Sequence, residues 1–200
     1  MKLLILISTL IATSFAFAKD GNRGWLVTPY VGYNSGTTTS TTTPTYGSAA
    51  GASTFTEIPI GAFLGYSFGA LWLAADVQYG ASGTTVTTKP ANTPNSTSTR
   101  TGIGADVGVK FGRSNIYLTY FSNSMSSPAQ NGNQSSTGAG TAIGLNYLFE
   151  VRNHFSIGAN YFSVTPTSVT QNGTTTQWST LFSSYSSSSI GILLAFPLMD

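Results

Sequence analysis

The sequence predicts an all-β protein, an eight-stranded antiparallel up-and-down β-barrel that spans a membrane. Four segments share a repeat in which an Ile-Gly pair opens a strand with one apolar face and one small or polar face. Only 7% of the residues are charged, although 12% are aromatic, and a soluble domain usually carries more charge on its surface. Long and short connections alternate along the chain. The repeats begin at Ile60-Gly61, Ile103-Gly104, Ile143-Gly144 and Ile190-Gly191.

The first 18 residues have the pattern of a secretory signal peptide. Lys2 is followed by the apolar run Leu3–Phe15, and Ala16-Phe17-Ala18 fits the small-x-small cleavage rule. A transmembrane helix is the alternative, but the run is shorter than the ~20 residues that a helical span needs. We therefore expect an exported chain whose barrel domain covers residues 19–200.

The remaining composition excludes several classes of protein. The chain has no cysteine, so it has no disulfides and no thiol chemistry. The net charge is +2, and the scattered basic residues do not form the patch that a nucleic-acid surface requires. After the signal peptide, no apolar run is long enough for a helical membrane protein, so a closed β-barrel is the remaining way to cross a bilayer.

Eight strands follow from the alternation of apolar and polar residues. The predicted strands are Gly24–Asn34, Thr54–Phe68, Leu71–Gly80, Arg100–Phe111, Asn115–Ser124, Gly140–Phe149, His154–Thr165 and Tyr185–Leu198.

The connections between these strands fall into two classes. Three are tight hairpin turns by length and residue type: Gly69-Ala70, Gly112–Ser114 and Glu150–Asn153. Four are long and rich in Ser, Thr, Gly and Asn: Ser35–Ser53, Ala81–Thr99, Met125–Thr137 and Pro166–Ser184. Strict alternation of the two classes puts all long loops at one end of a barrel and all short turns at the other.

In these features the chain resembles the small eight-stranded outer-membrane β-barrels of Gram-negative bacteria, the OmpA/OmpX-like barrels. The resemblance covers residues 19–200 and implies short periplasmic turns, long extracellular loops and a porin-like transmembrane architecture. It also implies contact with outer-membrane lipid and lipopolysaccharide. The family's last strand usually ends in an aromatic residue; here Pro197–Asp200 follow Phe196.

Two soluble folds share parts of this pattern. A lipocalin-like barrel has the same alternation with the apolar face inward, and the scarcity of charge on the polar face argues against it. A β-propeller has a similar period, but each blade needs four strands in ~40 residues, and half of each period here is low-complexity sequence.

The two faces of the predicted strands should have different roles. Residues such as Ile60, Val107 and Leu145 should face lipid, and aromatic residues near strand ends should form interfacial girdles. The predicted girdle consists of Tyr33, Tyr66, Phe68, Tyr79, Phe111, Tyr120, Phe149, Phe155 and Phe196. Inward glycines should leave room for Phe63, Trp72, Tyr117 and Phe162, so we expect a packed interior.

Most charges within the strands fall on the inward face. We interpret them as a structural polar network of Glu57, Asp76, Arg100, Asp106 and Lys110. Asp76 should lie opposite or diagonal to Asp106, with Lys110 and Arg100 as the nearest compensating cations, because buried charges must be paired. The alternative is a catalytic pair of carboxylates.

No motif indicates an enzyme, a cofactor or a metal centre. The single histidine, His154, follows a tight turn and should point inward at the periplasmic end as a satisfied polar residue. We therefore expect no catalytic, cofactor-binding or metal-binding residues and no cofactor. The function expected is a structural or surface-interaction role, by adhesion or recognition of an unknown extracellular ligand through the four loops. A small pore is the second hypothesis, and a lipid-modifying enzyme is the third.

Overall fold

A computed structural model describes residues 23–88, 96–128 and 135–198 of the chain. The predicted signal peptide, residues 1–18, lies outside these ranges, as do Met199 and Asp200 of the C-terminal tail and parts of two predicted loops. None of the helices in the described ranges is long and apolar enough to span a bilayer.

The described residues form nine strands and very little helix. The strands are β1 Arg23–Thr42, β2 Ala50–Phe68, β3 Leu71–Thr88, β4 Ser96–Phe111, β5 Ser114–Ser127, β6 Ser136–Arg152, β7 Phe155–Gln171, β8 Thr174–Gln177 and β9 Phe182–Ala195. A 3₁₀ turn covers Pro44–Tyr46, and a single helical turn, α1, covers Trp178–Leu181.

Eight of these strands close into one antiparallel ring, as the sequence predicted. Each strand from β1 to β7 pairs with the next, and β9 pairs with both β7 and β1. The short β8 pairs with β7 and lies outside the ring. Following partners once around the ring leads from Thr28 through Phe63, Asp76, Gly104, Phe121, Ala142, Val164 and Ser187 to Thr38. This stagger is the shear that lets tilted strands close a sheet into a barrel.

The alternation puts an apolar belt on the outside of the ring. The isoleucine of every Ile-Gly repeat is more than half exposed, whereas Phe63, Trp72, Tyr117 and Phe162 are buried inside, as predicted. Along β2 the exposed apolar positions run from Phe68 to Ile58, a rise of about 25 Å for strands tilted about 40°. That height matches the apolar band of a transmembrane barrel, and the inward phase of a lipocalin is wrong for this chain.

Aromatic side chains border this belt at both edges. Seven of the nine predicted girdle residues are exposed; Tyr66 and Phe155 are partly covered by other aromatic rings. Tyr66 packs edge-on against Trp25, with ring centroids 5.8 Å apart, and Phe155 lies 5.7 Å from Phe196. The girdle thus includes an aromatic contact between the start of β7 and the residue that follows β9.

The three short connections lie together at one end of the barrel, the short-turn end. Gly69 and Gly112 adopt positive φ angles in the first two turns, and His154 does so in the third. His154 was predicted to begin a strand and point inward; instead it is exposed in the turn, and its Nδ1 lies 2.8 Å from the carbonyl oxygen of Pro197. Beyond β9, Phe196 and Leu198 donate their N–H groups to Pro29 and Val27, so the C-terminal tail continues along β1.

The four long connections, at the long-hairpin end, contain much more strand than the sequence predicted. β1 continues to Thr42 and β2 starts at Ala50, so only 43–49 separate two paired strands. Thr37–Thr41 are hydrogen-bonded to β2 on one side and to β9 on the other. Threonine favours extended structure because of its branched Cβ, and the backbone ladder continues although both faces have become polar.

A lysine in the middle of the belt tests the direction of the faces. On β4 the outward position Val107 lies midway between Phe111 and Ile103, so Val107→Lys should cost about 2–4 kcal/mol of folding free energy in lipid. Thr101→Lys is the matched control, because Thr101 is also outward on β4 but lies one position beyond the belt, where the cost should be about 0–1 kcal/mol. Urea titration of vesicle-folded protein measures both, and equal stability of the two variants would contradict the assignment.

Candidate functional site: the barrel interior and the extracellular hairpins

The interior holds a buried ion pair between β4 and β2. Arg100 Nε donates to Glu57 Oε1 at 2.8 Å and Arg100 Nη2 donates to Glu57 Oε2 at 2.7 Å, with the two residues only 7% and 5% exposed. A two-point contact of this kind is the strongest arrangement available to a guanidinium and a carboxylate. The sequence placed both residues in one network, and the structure brings them into direct contact.

A missing side chain on the intervening strand makes this contact possible. Gly80 of β3 lies beside Arg100 in the ladder, and a Cβ at Gly80 would collide with the carboxylate of Glu57. Glycine at this position therefore lets the Glu57 side chain cross β3 and reach the guanidinium. The ion pair ties β2 to β4 across the strand between them.

Two further residues extend the ion pair into a continuous chain of hydrogen bonds. Arg100 Nη2 also donates to Gln78 Oε1 at 2.8 Å, Gln78 Nε2 donates to Tyr30 Oη at 3.2 Å, and Tyr30 Oη donates to Asp76 Oδ1 at 3.0 Å. Glu57, Arg100 and Asp76 therefore belong to one network. Gln78 and Tyr30 are the members that the sequence did not assign to it, although both share the inward phase.

The other two predicted members lie elsewhere. Asp106 is 3% exposed inside the barrel and lies diagonal to Asp76 in the ladder. The Lys110 side chain is 49% exposed at the short-turn end, and its Nζ is 4.0 Å from Glu150 Oε2. The expectation that Lys110 compensates Asp76 and Asp106 is wrong, since Lys110 lies at the end of β4 while the carboxylates lie deep inside.

More buried polar groups line the interior on the side of β1, β5, β6 and β7. Asn146 Nδ2 donates to Thr119 Oγ1 at 2.9 Å, and Thr119 faces Asp106 in the ladder. Asn34, Asn123 and Asn160 are buried, and their side-chain amides have no partner within the part of the chain that the structure describes. Buried polar groups normally satisfy their hydrogen bonds with protein or with ordered water, so this wall of the lumen is polar enough to be hydrated.

Aromatic rings from β2, β3, β5 and β7 fill other parts of the lumen. Phe63 stacks on Trp72 with ring centroids 5.3 Å apart, and Tyr117 lies 5.2 Å from Trp72. Trp72 Nε1 donates to Asn115 Oδ1 at 2.8 Å. Gly108, opposite Trp72 in the ladder, has no room for a Cβ because the indole occupies that space. The second cluster, Phe121 with Phe162, has ring centroids 6.1 Å apart.

The long-hairpin end carries a different kind of surface. An open groove of about 380 Å³ lies on the outer wall near the ends of β2 and β3. It is lined by Tyr33, Thr56, Ile58, Ala81, Ser82, Gly83, Thr97, Ser98, Thr99 and Pro128. Next to the tip of β1, Trp178 of α1 stacks on Phe182 at 4.6 Å and meets Tyr185 edge-on at 5.3 Å. Across the described ranges, no group of three or more His, Asp or Glu residues could hold a metal ion.

Solved structures show the same architecture. The outer membrane protein OprG from Pseudomonas aeruginosa matches over 90% of this chain and 99% of its own, with 9% identity and a TM-score of 0.50. This chain has the fold of the bacterial outer-membrane β-barrels. Ail, the attachment invasion locus protein of Yersinia pestis, matches over 88% of this chain and 100% of its own, with 11% identity and a TM-score of 0.48. Neisserial surface protein A matches over 84% of this chain and 96% of its own, with 18% identity and a TM-score of 0.43.

Sequence comparison adds no relative to these structural matches. No protein-family model matches the chain, and no curated protein matches its sequence. The fold and the apolar belt together place the protein in the bacterial outer membrane. The short-turn end is then periplasmic and the long-hairpin end is extracellular.

The contrast between Arg100 and Lys110 gives a test of the interior network. Arg100→Met leaves the buried Glu57 carboxylate without its partner and should cost about 3–5 kcal/mol of stability. Lys110→Met, in contrast, should change stability by less than about 0.5 kcal/mol because that residue is exposed. Urea unfolding of both variants in one lipid measures the difference.

The double variant Glu57→Gln/Arg100→Met supplies the control. Removing both charges should recover much of the stability that Arg100→Met loses, since the cost comes from the unpaired carboxylate. Equal stability of the Arg100→Met and Lys110→Met variants would show that the network does not hold the barrel together.

Proposed function

We propose that this protein is a non-catalytic surface protein of the outer membrane that recognises an external partner through its extracellular hairpins. The observation that carries the proposal is the division of the molecule into a filled barrel and a hydroxyl-rich extracellular part whose described residues carry no charge. The barrel supports the hairpins, and the hairpins are the part available to another cell, a phage or a glycan.

The barrel interior favours a supporting role over a wide channel. Trp72, Phe63 and Phe121 are almost completely buried in the lumen, and the buried Arg100–Glu57 pair covers the inner face of β3. An eight-stranded barrel is just wide enough for side chains to fill. A solute that crossed the membrane through this lumen would have to displace these side chains.

The extracellular hairpins offer hydroxyl groups and no charge over their described parts. No Asp, Glu, Lys or Arg occurs in 35–56, 81–88, 96–99, 125–128, 135–139 or 165–189. A partner of this surface must therefore be held by neutral hydrogen bonds and by apolar contact, as for an uncharged glycan or a polar protein surface. The partly exposed rings of Trp178, Phe182 and Tyr185 form an apolar group there, and aromatic rings combine contact area with low entropic cost.

Contact with outer-membrane lipid and lipopolysaccharide belongs to the same proposal. The belt supplies the lipid contact. The groove near Tyr33 and Ile58 lies just beyond the belt edge and is lined by apolar and hydroxyl groups, which suits the uncharged sugar or acyl parts of lipopolysaccharide better than its phosphates.

A narrow pore is the second candidate function. It is favoured by the buried amides of Asn34, Asn123 and Asn160 and by the carboxylate of Asp106, which make part of the lumen lining polar. A hydrated wall of this kind would pass water or small ions at most. The lipid-modifying enzyme is less well supported, because His154 lies in an exposed periplasmic turn, away from the outer leaflet.

Shortening one hairpin tests the recognition role. We expect that replacing 43–49 with a two-residue Asn-Gly turn leaves the barrel folded, because the paired residues Thr37–Thr41 stay in place and shortening a loop changes its closure entropy only slowly, by about 0.6 kcal/mol per doubling. Applied to all four extracellular tips, the change should abolish binding to host cells or immobilised glycans. Heat-modifiability in SDS gels reports folding, and a cell-binding assay reports recognition.

The same variants separate recognition from conduction. Planar-bilayer recordings of the parent protein should show no stepwise conductance, and trimming the tips should not create any. Full binding by a folded protein that lacks all four tips would contradict the recognition role, and stable conductance steps that are lost in Asp106→Asn would favour the pore.

A further inference from the structure

The charged side chains of this barrel are sorted into two places. Among the residues that the structure describes, four charges lie inside the lumen: Glu57, Asp76, Arg100 and Asp106. The other five lie at the periplasmic end and are Arg23, Lys110, Arg113, Glu150 and Arg152. Four of these five are cations, so the described periplasmic end is distinctly basic while the described extracellular hairpins are neutral.

Three of the cations lie along the short-turn rim between the end of β4 and the end of β6. Lys110 and Arg113 flank the turn between β4 and β5, and the Glu150 N–H donates to the Arg113 carbonyl at 2.8 Å. Arg152 ends β6, two residues after Glu150. The single anion, Glu150, approaches Lys110 only to 4.0 Å, so it leaves most of the positive charge of this surface uncompensated.

This surface borders the lipid belt directly. The outward residues next to it are Phe111, Phe149 and Val151, all exposed on the outer wall. Lys110 has the inward phase of β4, but its side chain is half exposed at the rim. Arg113 and Arg152 are exposed in the turn after β4 and at the end of β6. All three cations therefore lie at the rim, at the level of the lipid headgroups, and guanidinium groups bind phosphate oxygens in pairs.

We propose that Lys110, Arg113 and Arg152 form a binding surface for anionic phospholipid headgroups in the periplasmic leaflet of the outer membrane. The proposal does not depend on the identity of any extracellular partner. It assigns the two ends of the barrel different lipid preferences: the periplasmic end selects negatively charged headgroups, and the described extracellular end offers no charge with which to do so.

Spin-labelled lipids test this selectivity directly. The protein is folded into phosphatidylcholine vesicles that contain a trace of spin-labelled phosphatidylglycerol or spin-labelled phosphatidylcholine, and the fraction of each label immobilised at the protein surface is measured. We expect phosphatidylglycerol to associate about threefold more strongly at low salt because of attraction to the basic surface, and the preference to weaken in molar salt.

The variant Lys110→Gln/Arg113→Gln/Arg152→Gln should lose the preference, giving a ratio near one. The matched control Lys110→Arg/Arg113→Lys/Arg152→Lys retains the charges and should keep it. All three residues are exposed, and heat-modifiability confirms that each variant is folded. If the triple glutamine variant does not fold, the single variant Arg113→Gln and the salt titration of the parent protein decide the matter, since both must lower the ratio.

Three results would overturn the proposal. They are equal association of the two labels with the parent protein, an unchanged preference in the folded glutamine variant, and full displacement of the labelled lipid by millimolar glycerol phosphate. The last result would show that the surface is a site for soluble anions and not for a lipid surface.

Discussion

Closure of the sheet by the pairing of β9 with β1 is the constraint on which the rest of this structure depends. In hydrocarbon each unpaired backbone N–H or C=O costs several kcal/mol, so a sheet can cross a bilayer only if it has no free edge. Once the ring is closed with eight strands, its diameter is set, and so is the face on which every side chain lies. The apolar belt, the aromatic girdles and the narrow interior all follow from that ring.

The narrow interior explains why its side chains are so closely matched to one another. Four of the large rings project towards a glycine at the facing position: Tyr30 towards Gly61, Trp72 towards Gly108, Phe121 towards Gly104 and Phe162 towards Gly144. The ion pair of Glu57 and Arg100 follows the same principle, because Gly80 between them leaves the space that the carboxylate occupies. Packing and charge pairing thus both depend on a glycine that leaves space for a large side chain, and together they leave the lumen filled.

Because the lumen is filled, the surfaces that can meet a partner lie at the two ends of the barrel. The extracellular hairpins continue the hydrogen-bonded ladder well beyond the belt, so they present hydroxyl groups on a defined framework instead of on flexible loops. The periplasmic end has short turns and carries the exposed charges of the described residues. The two ends of one small barrel therefore meet chemically different surroundings with different side chains.

The eight strands, their faces and most of the girdle could be predicted because alternation with a period of two depends only on local sequence. The outer ends of the strands could not, because in stretches such as Thr37–Thr41 both faces are polar and the pattern that reveals a strand disappears. The alternation shows whether a side chain faces inward or outward, but it does not show how far along the barrel axis the residue lies. Lys110 shares the phase of Asp106, yet it lies at the rim. The contact between Glu57 and Arg100 joins residues 43 positions apart, and only the register of three strands places them together.

The seam between β7 and β9 has a consequence for how the molecule moves. Their ladder stops at Val164 and Ser187, two residues before Pro166, which has no N–H to donate. β9 nevertheless continues to Phe182 with β1 as its ladder partner. A strand held along one edge opens at lower free energy than one held along both. Amide protons of residues 182–186 should therefore exchange with solvent earlier than those lower in β9. The outer rim of this cylinder can fluctuate locally while the ring within the membrane stays shut.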